Sequence, residues 1–380
     1  MRGPRLCIAL LAAALVPLVG GCGGTTGGGA PSASSARDES DGRFAEPATS
    51  PYVSPIVAVA CSTDGIRLIS AGANGSVWLW NAESGEPIHR FDRTRPLSSV
   101  AFLPDGRRAL FVGPALGLID LEKHAVEKTF ATEREKSLTP GMREAIAARC
   151  VAITPDGRML AAGRADNRVE VWEIESGSLL AEFQTIEPQF DGMDEGIVAV
   201  GISSDGVTVA AVDARCQTWL WDLATRQVRS RGRVEVLAAA SYTQAAAFSG
   251  DCSRLLVSVE QRSSTTVQIV EITPSGGEGG EVAGAYSLAV WDVAGNKGLH
   301  VLQSPGASQV RGLCISTDGR RAAAGLEEGA VVVWDLDSGT RLAEFQGHRG
   351  QVRAAAFSSD GRWLVTGGQD YSARRWRLPE

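Results

Sequence analysis

Apolar and polar positions alternate in short runs along this chain, and the runs return at fixed distances from a turn. Three residues ahead of a turn Asp stand Cys61, Phe102, Ile153, Ile202, Phe248, Ile315 and Phe357, and a small apolar residue precedes most of them by two. A period of two is that of a strand. After the turn an apolar run closes on small residues, as in Leu68 to Gly72, Leu160 to Gly163 and Leu364 to Gly368. A tight polar turn and a third run follow, such as Val77 to Trp80 or Val331 to Trp334. The fourth run, Ile88 to Phe91, Leu179 to Phe183 or Leu342 to Phe345, comes after a turn signal such as Glu83-Ser84-Gly85 or Asp337-Ser338-Gly339. Outside this pattern, Glu133 to Ala147 has a helix-like composition and predicts one short helix packed on the rim.

The four-run unit is repeated. A Trp stands 16 residues after the turn Asp at Asp64/Trp80, Asp156/Trp172, Asp205/Trp221, Asp318/Trp334 and Asp360/Trp376. Two weaker copies, Asp105 with Ile119 after 14 residues and Asp251 with Trp291 after 40, bring the total to seven. Turn-to-turn distances of 41, 51, 49, 46, 67 and 42 set a basic repeat of 41–42, the length of a four-stranded unit, with insertions elsewhere.

The pairs Trp221-Asp222, Trp291-Asp292 and Trp334-Asp335, the variants Trp80-Asn81 and Trp172-Glu173, and the dipeptide Gly347-His348 resemble WD40 repeats over roughly residues 53–380. The resemblance implies an all-β fold, a seven-bladed β-propeller of four-stranded antiparallel blades, whose radial repetition leaves only short sheet edges. The last unit stops after its third run, so ring closure needs a strand from the other end. The segment from Phe44 to Val53 is the candidate. The resemblance also implies that His348, Thr366, Asp370 and Trp376 form a hydrogen-bonded tetrad inside the last blade, an architectural network and not a catalytic triad. Unit one keeps Ser70, Asn74 and Trp80 without the His.

The first residues read differently. Arg2 and Arg5 precede an uncharged apolar stretch from Leu6 to Val19, too short for an ordinary membrane span and suited to a secretory signal. Val19-Gly20-Gly21-Cys22 resembles a bacterial lipobox, which implies cleavage before Cys22 and acylation of its thiol. The stretch from Gly23 onward is rich in Gly, Ser and Pro and reads as a flexible tether. About 25 such residues span roughly 25–30 Å, close to the membrane without lying on it. The expected organisation is therefore a signal peptide over 1–21, a lipidated Cys22 and tether over 22–43, and a propeller over 44–380. Gly23 after the Cys points, by analogy with Gram-negative bacteria, to an outer membrane facing the periplasm if the cell is Gram-negative.

Charge narrows the partners. The chain carries 37 Lys and Arg against 44 Asp and Glu, a formal −7, and removal of Arg2 and Arg5 with the signal takes it to −9. That is no footprint for nucleic acid. Arg226, Arg229, Arg231 and Arg233 read as a charge-guarded edge strand. Beyond Cys7 and Cys22 there are five cysteines, Cys61, Cys150, Cys216, Cys252 and Cys314, without disulfide or Cys-x-x-Cys spacing. Cys61 takes an inward position held elsewhere by Phe or Ile. The four His, His89, His124, His300 and His348, have no metal-ligand spacing, and no nucleophile elbow or phosphate loop is present. Asp191, Asp194 and Glu195 lack the spacing of a calcium loop and read as solvated. The expectation is a protein without cofactor, metal or catalytic centre.

Insertions carry more information than charges. The junctions Phe130 to Asp156 (26 residues) and Phe183 to Asp205 (22) exceed those from Phe91 to Asp105 (14) and Phe345 to Asp360 (15), and a third insertion lies near Gln261 to Gly284. In a propeller all three open on one face, over units two to five. Their apolar residues Leu138, Met142, Ile146, Phe190 and Met193 are the candidate anchors for a protein partner in the cell envelope. Two alternatives stay open: a propeller enzyme or small-molecule binder using the central channel, and a purely structural envelope component.

Overall fold

The computed structural model describes residues 40–45, 54–92, 95–185, 196–234, 245–260, 267–268, 281–282, 286–303 and 309–379, all within the unit Ala36–Glu380. The chain first lays down β1 (Ser40–Ala45), which belongs to the last blade. Blade 1 follows as β2 (Ile56–Cys61), β3 (Arg67–Gly72), β4 (Ser76–Asn81) and β5 (Pro87–Asp92). Blade 2 is β6 (Ser99–Phe102), β7 (Arg108–Val112), β8 (Leu116–Asp120) and β9 (Ala125–Phe130). Two helices, α1 (Glu133–Lys136) and α2 (Pro140–Ala145), precede blade 3, which is β10 (Ala148–Ile153), β11 (Met159–Arg164), β12 (Arg168–Glu173) and β13 (Leu179–Gln184). Blade 4 is β14 (Ile197–Ile202), β15 (Thr208–Asp213), β16 (Gln217–Asp222) and β17 (Val228–Arg233).

Blade 5 comprises β18 (Ala246–Phe248), β19 (Arg254–Glu260), β22 (Tyr286–Asp292) and β23 (Lys297–Gln303), with the hairpin β20 (Val267–Gln268) and β21 (Glu281–Val282) inserted between its second and third strands. Blade 6 is β24 (Val310–Ile315), β25 (Arg321–Leu326), β26 (Ala330–Asp335) and β27 (Arg341–Gln346). Blade 7 holds β28 (Val352–Phe357), β29 (Trp363–Gly368), β30 (Ser372–Arg377) and, as its outer strand, β1. Seven four-stranded antiparallel sheets result, as the repeat requires.

Between the sheets lie the cores. Seven hydrophobic clusters each join one blade to the next, and the cluster of Ile56, Val59 and Trp80 with Ala354, Val365 and Ala373 joins the last blade to the first. The ring is therefore closed twice, by apolar packing and by the β1–β30 ladder. The small residues that end each second strand have a packing reason. A Cβ on Gly163, Gly325 or Gly367 would overlap Ile197, Val352 or Ile56, the first core residue of the following blade. Only glycine lets neighbouring blades approach this closely.

The turn Asp repeats for an equally local reason. In six blades a Ser or Thr two residues earlier donates its hydroxyl to the Asp, as Ser62 to Asp64 (2.5 Å), Thr154 to Asp156 (2.6 Å) and Ser358 to Asp360 (2.6 Å). The same carboxylate accepts the backbone N–H two residues on, 3.0 Å from Ile66, Arg158 and Arg362. These bonds hold the Asp carboxyls below their usual range. The following Gly sits at positive φ, except in blade 5, where Cys252 occupies that conformation at φ 59°. The Asp of the Trp-Asp pair works alike: Asp335 accepts from the N–H of Ser338 at 2.7 Å, and Asn81 does the same for Ser84 at 2.9 Å.

Two expectations are corrected. The ring-closing strand is Ser40–Ala45 and shares only Phe44 and Ala45 with the expected segment. Antiparallel pairing places Ala45 opposite Ser372 and Ser40 opposite Trp376. The strand thus begins inside the stretch whose composition reads as tether. The single helix expected over 133–147 is two short ones, because Ser137 caps α1 and Pro140, lacking an N–H, opens α2.

Candidate docking face

The last blade shows how a polar network is satisfied inside a sheet. Trp376 Nε1 donates to Thr366 Oγ1 at 2.8 Å, Thr366 Oγ1 lies 2.8 Å from His348 Nε2, and His348 Nδ1 lies 2.9 Å from Asp370 Oδ1. One proton arrangement satisfies every member: Thr366 donates to Nε2, and the Nδ1–H of a neutral His348 donates to Asp370. Asp370 also accepts from the Arg349 N–H and the Ser372 hydroxyl. Burial pushes its carboxyl up, but these hydrogen bonds, that from His348 foremost, hold it well below the usual range. With His348, Thr366 and Trp376 all buried, no substrate-accessible nucleophile or base exists here. In blade 1 the shorter version keeps Trp80 Nε1 to Ser70 Oγ at 2.9 Å.

Blade 3 fills the same place with charge. Trp172 Nε1 donates to Glu170 at 3.2 Å, and Glu170 is fully buried. Arg164 pairs with it at 2.7 Å and Arg168 at 3.4 Å, both arginines being 1% exposed. Arg168 also reaches Asp166 (2.7 Å) and Glu182 (3.3 Å). Burial pushes the Glu170 carboxyl up despite Arg164 and Arg168.

The remaining partner of Arg164 comes from the insertion. Glu135 Oε1 stands 2.5 Å from Arg164 Nη1, while Glu135 Oε2 accepts the Thr132 N–H at 2.8 Å in a capping box. Arg164 Nη1 further donates to the Ile146 carbonyl at 3.3 Å. The junction between blades 2 and 3 is therefore tied at both ends to the core of blade 3. Of its anchors, Leu138 and Ile146 are half-buried and Met142 is 54% exposed. Phe190 and Met193 lie outside the described residues, as does Cys22. Sequence reasoning missed Glu135, Arg164, Arg168 and Glu170. The available signal was Glu170 between Val169 and Val171, in a strand position that Trp219 and Val332 occupy in blades 4 and 6.

No other chemistry gathers on this face. Among the described residues no group of three or more His, Cys, Asp or Glu is placed to hold a metal ion. None of the five described cysteines is in a disulfide. Burial pushes Cys61 to about 11 and Cys150, Cys216 and Cys252 to about 12, and raises Cys314 as well, so none is a thiolate nucleophile at neutral pH. In blade 4 Asp213 is buried, and burial lifts its carboxyl to about 6 although the N–H groups of Gln217 and Arg215 bond it at 2.9 Å.

Comparison with known sequences agrees with this architecture. The profile of the WD40 family (WD domain, G-beta repeat) matches residues 49–81, 142–173, 296–335 and 339–377. The chain is 43% identical over 54 residues to WD repeat-containing protein 36 of Homo sapiens, covering 14% of this chain and 6% of that protein. It is 24% identical over 210 residues to autophagy-related protein 16 of Arabidopsis thaliana, covering 55% of this chain and 34% of that one. The match thus spans about a third or less of either relative. Taken with the seven sheets and their closing strand, the protein is a seven-bladed β-propeller carrying WD40 repeats.

Proposed function

We propose that this protein is a non-catalytic docking scaffold, lipid-anchored through Cys22 and held outside the cytoplasm in a bacterial cell envelope. A protein partner docks on the face that carries the insertions of blades 2 to 5. WD40 propellers are generally scaffolds for protein interaction, which supports the class. The observation that carries the reading is the tied insertion: Glu135 and the Ile146 carbonyl hold it to buried Arg164 while Met142 stays 54% exposed. A rigid loop presenting a Met loses little entropy on binding, which favours recognition. The anchor rests on the apolar stretch from Leu6 to Val19 and on Val19-Gly20-Gly21-Cys22.

The test is quantitative cross-linking capture from detergent-solubilised envelopes, comparing the native protein with one whose three insertions are cut to short turns. A partner recovered with the native protein alone supports the docking face; equal recovery, or none, refutes it. Labelled palmitate incorporated by the native chain and absent from Cys22→Ala supports the anchor, and equal labelling removes it.

A further inference from the structure

The innermost strands share an irregularity. In five blades the ladder between first and second strands shifts at one residue, leaving Val57, Arg149, Val198, Arg311 and Arg353 as the bulged positions. A bulge releases its residue from pairing and re-aims the side chain. All five follow the junction loops, so they lie on the innermost strands at the side of the ring that carries the insertions. Three are arginines, and two of those stand on neighbouring blades in the same Gln-Val-Arg sequence, 309–311 and 351–353.

Those two are close by construction. A Cβ on Gly312 would fall 2.9 Å from the Ala354 backbone nitrogen, so β24 and β28 touch immediately after the bulges. Each guanidinium is steadied by the glutamine two residues earlier: Arg311 Nη2 to Gln309 Oε1 at 3.3 Å, and Arg353 Nε to Gln351 Oε1 at 3.2 Å. An amide oxygen orients a guanidinium without neutralising it. Five donors per guanidinium leave N–H groups for a bidentate carboxylate.

We propose that Arg311 and Arg353 form a clamp for the side-chain carboxylates of an acidic polypeptide segment at the channel mouth. The proposal rests on the docking reading above and gives that face its partner chemistry. Two like charges on adjacent strands repel unless an anion lies between them, and planar arginines suit paired carboxylates. A short acidic segment meets chiefly the two arginines, whereas a long polyanion also meets the rest of a chain of formal charge −7, which favours a peptide over nucleic acid.

The test is fluorescence anisotropy with a labelled twelve-residue peptide of alternating Glu and Ser, against the same peptide with Gln for Glu. The proteins are the native chain, R311Q/R353Q, R311K/R353K and R362Q, the last an exposed turn residue at the opposite end of the inner strand. The clamp predicts roughly tenfold preference for the Glu peptide, its loss in the double Gln variant, partial retention in the Lys variant and none of these losses in R362Q. Thermal melting checks that all four are folded. Equal binding of the two peptides, or full binding by a folded R311Q/R353Q, overturns the proposal. So does a single-stranded DNA oligonucleotide of equal charge competing better than the Glu peptide. If peptide binding fails while insertion-dependent capture persists, the clamp falls and the docking face stands. If trimming the insertions leaves peptide binding intact but abolishes no capture, the reverse holds.

Discussion

Blades 7 and 3 solve one problem in opposite ways. Each must give the buried indole N–H of its third-strand Trp an acceptor and lock the two middle strands together. Blade 7 uses a neutral chain that ends on a carboxylate near the surface, Trp376 to Thr366 to His348 to Asp370. Blade 3 uses Glu170 between two buried arginines and draws in Glu135 from outside the sheet. The neutral network is self-contained. The ionic one takes a partner from the insertion, so it couples the scaffold to the loop that displays Met142. Buried charge is a poor way to gain stability, because desolvation offsets the attraction. Its presence here is explained by what it ties down.

The sharpest way to break the comparison is Glu170→Ala. Two buried arginines lose their shared carboxylate, and urea unfolding should show a loss of about 3–5 kcal/mol. His348→Ala should cost less, about 1–3 kcal/mol, since it leaves Thr366 and Asp370 short of one neutral partner each. If blade 7 proves the more costly, the two networks have been ranked the wrong way round.

Asp213 gives a pH-dependent check in blade 4, next to blade 3. Its folded value of about 6 lies above the ordinary aspartate value near 3.8, so the folded state holds the proton more tightly than the unfolded one. Stability from this group is present at low pH and is lost as pH climbs from that lower value through 6. Asp213→Asn should therefore be stabilising at pH 7.5, on the order of 2 kcal/mol, and without effect near pH 4. Equal shifts at both pH values would contradict the burial argument. The smallest expected effect is Met142→Ala: melting unchanged within about 0.5 kcal/mol, as for any exposed site, with weakened partner capture.

What was legible in the sequence follows the range of the interactions. The Ser-x-Asp-Gly turn closes within five residues, so its chemistry is written as a local motif. The tetrad spans one blade, from His348 to Trp376, and is legible because its residue types repeat a known order. The blade 3 network is not. Glu135 sits in an insertion 29 residues before Arg164, in a capping box that by itself reads only as a helix start. The closing strand differs from the expected segment for a related reason: its register is set by Ser372 to Trp376 at the far end of the chain, and its local composition reads as part of the expected tether.

The coupling of insertion to blade is best tested by amide hydrogen exchange over residues 131–147 in the native protein and in Glu135→Ala. The tied insertion predicts protection in the native chain that approaches the flanking strands, and its selective loss in the variant while blade 7 stays protected. Coil-like exchange of this segment in the native protein, or protection indifferent to Glu135, would contradict it.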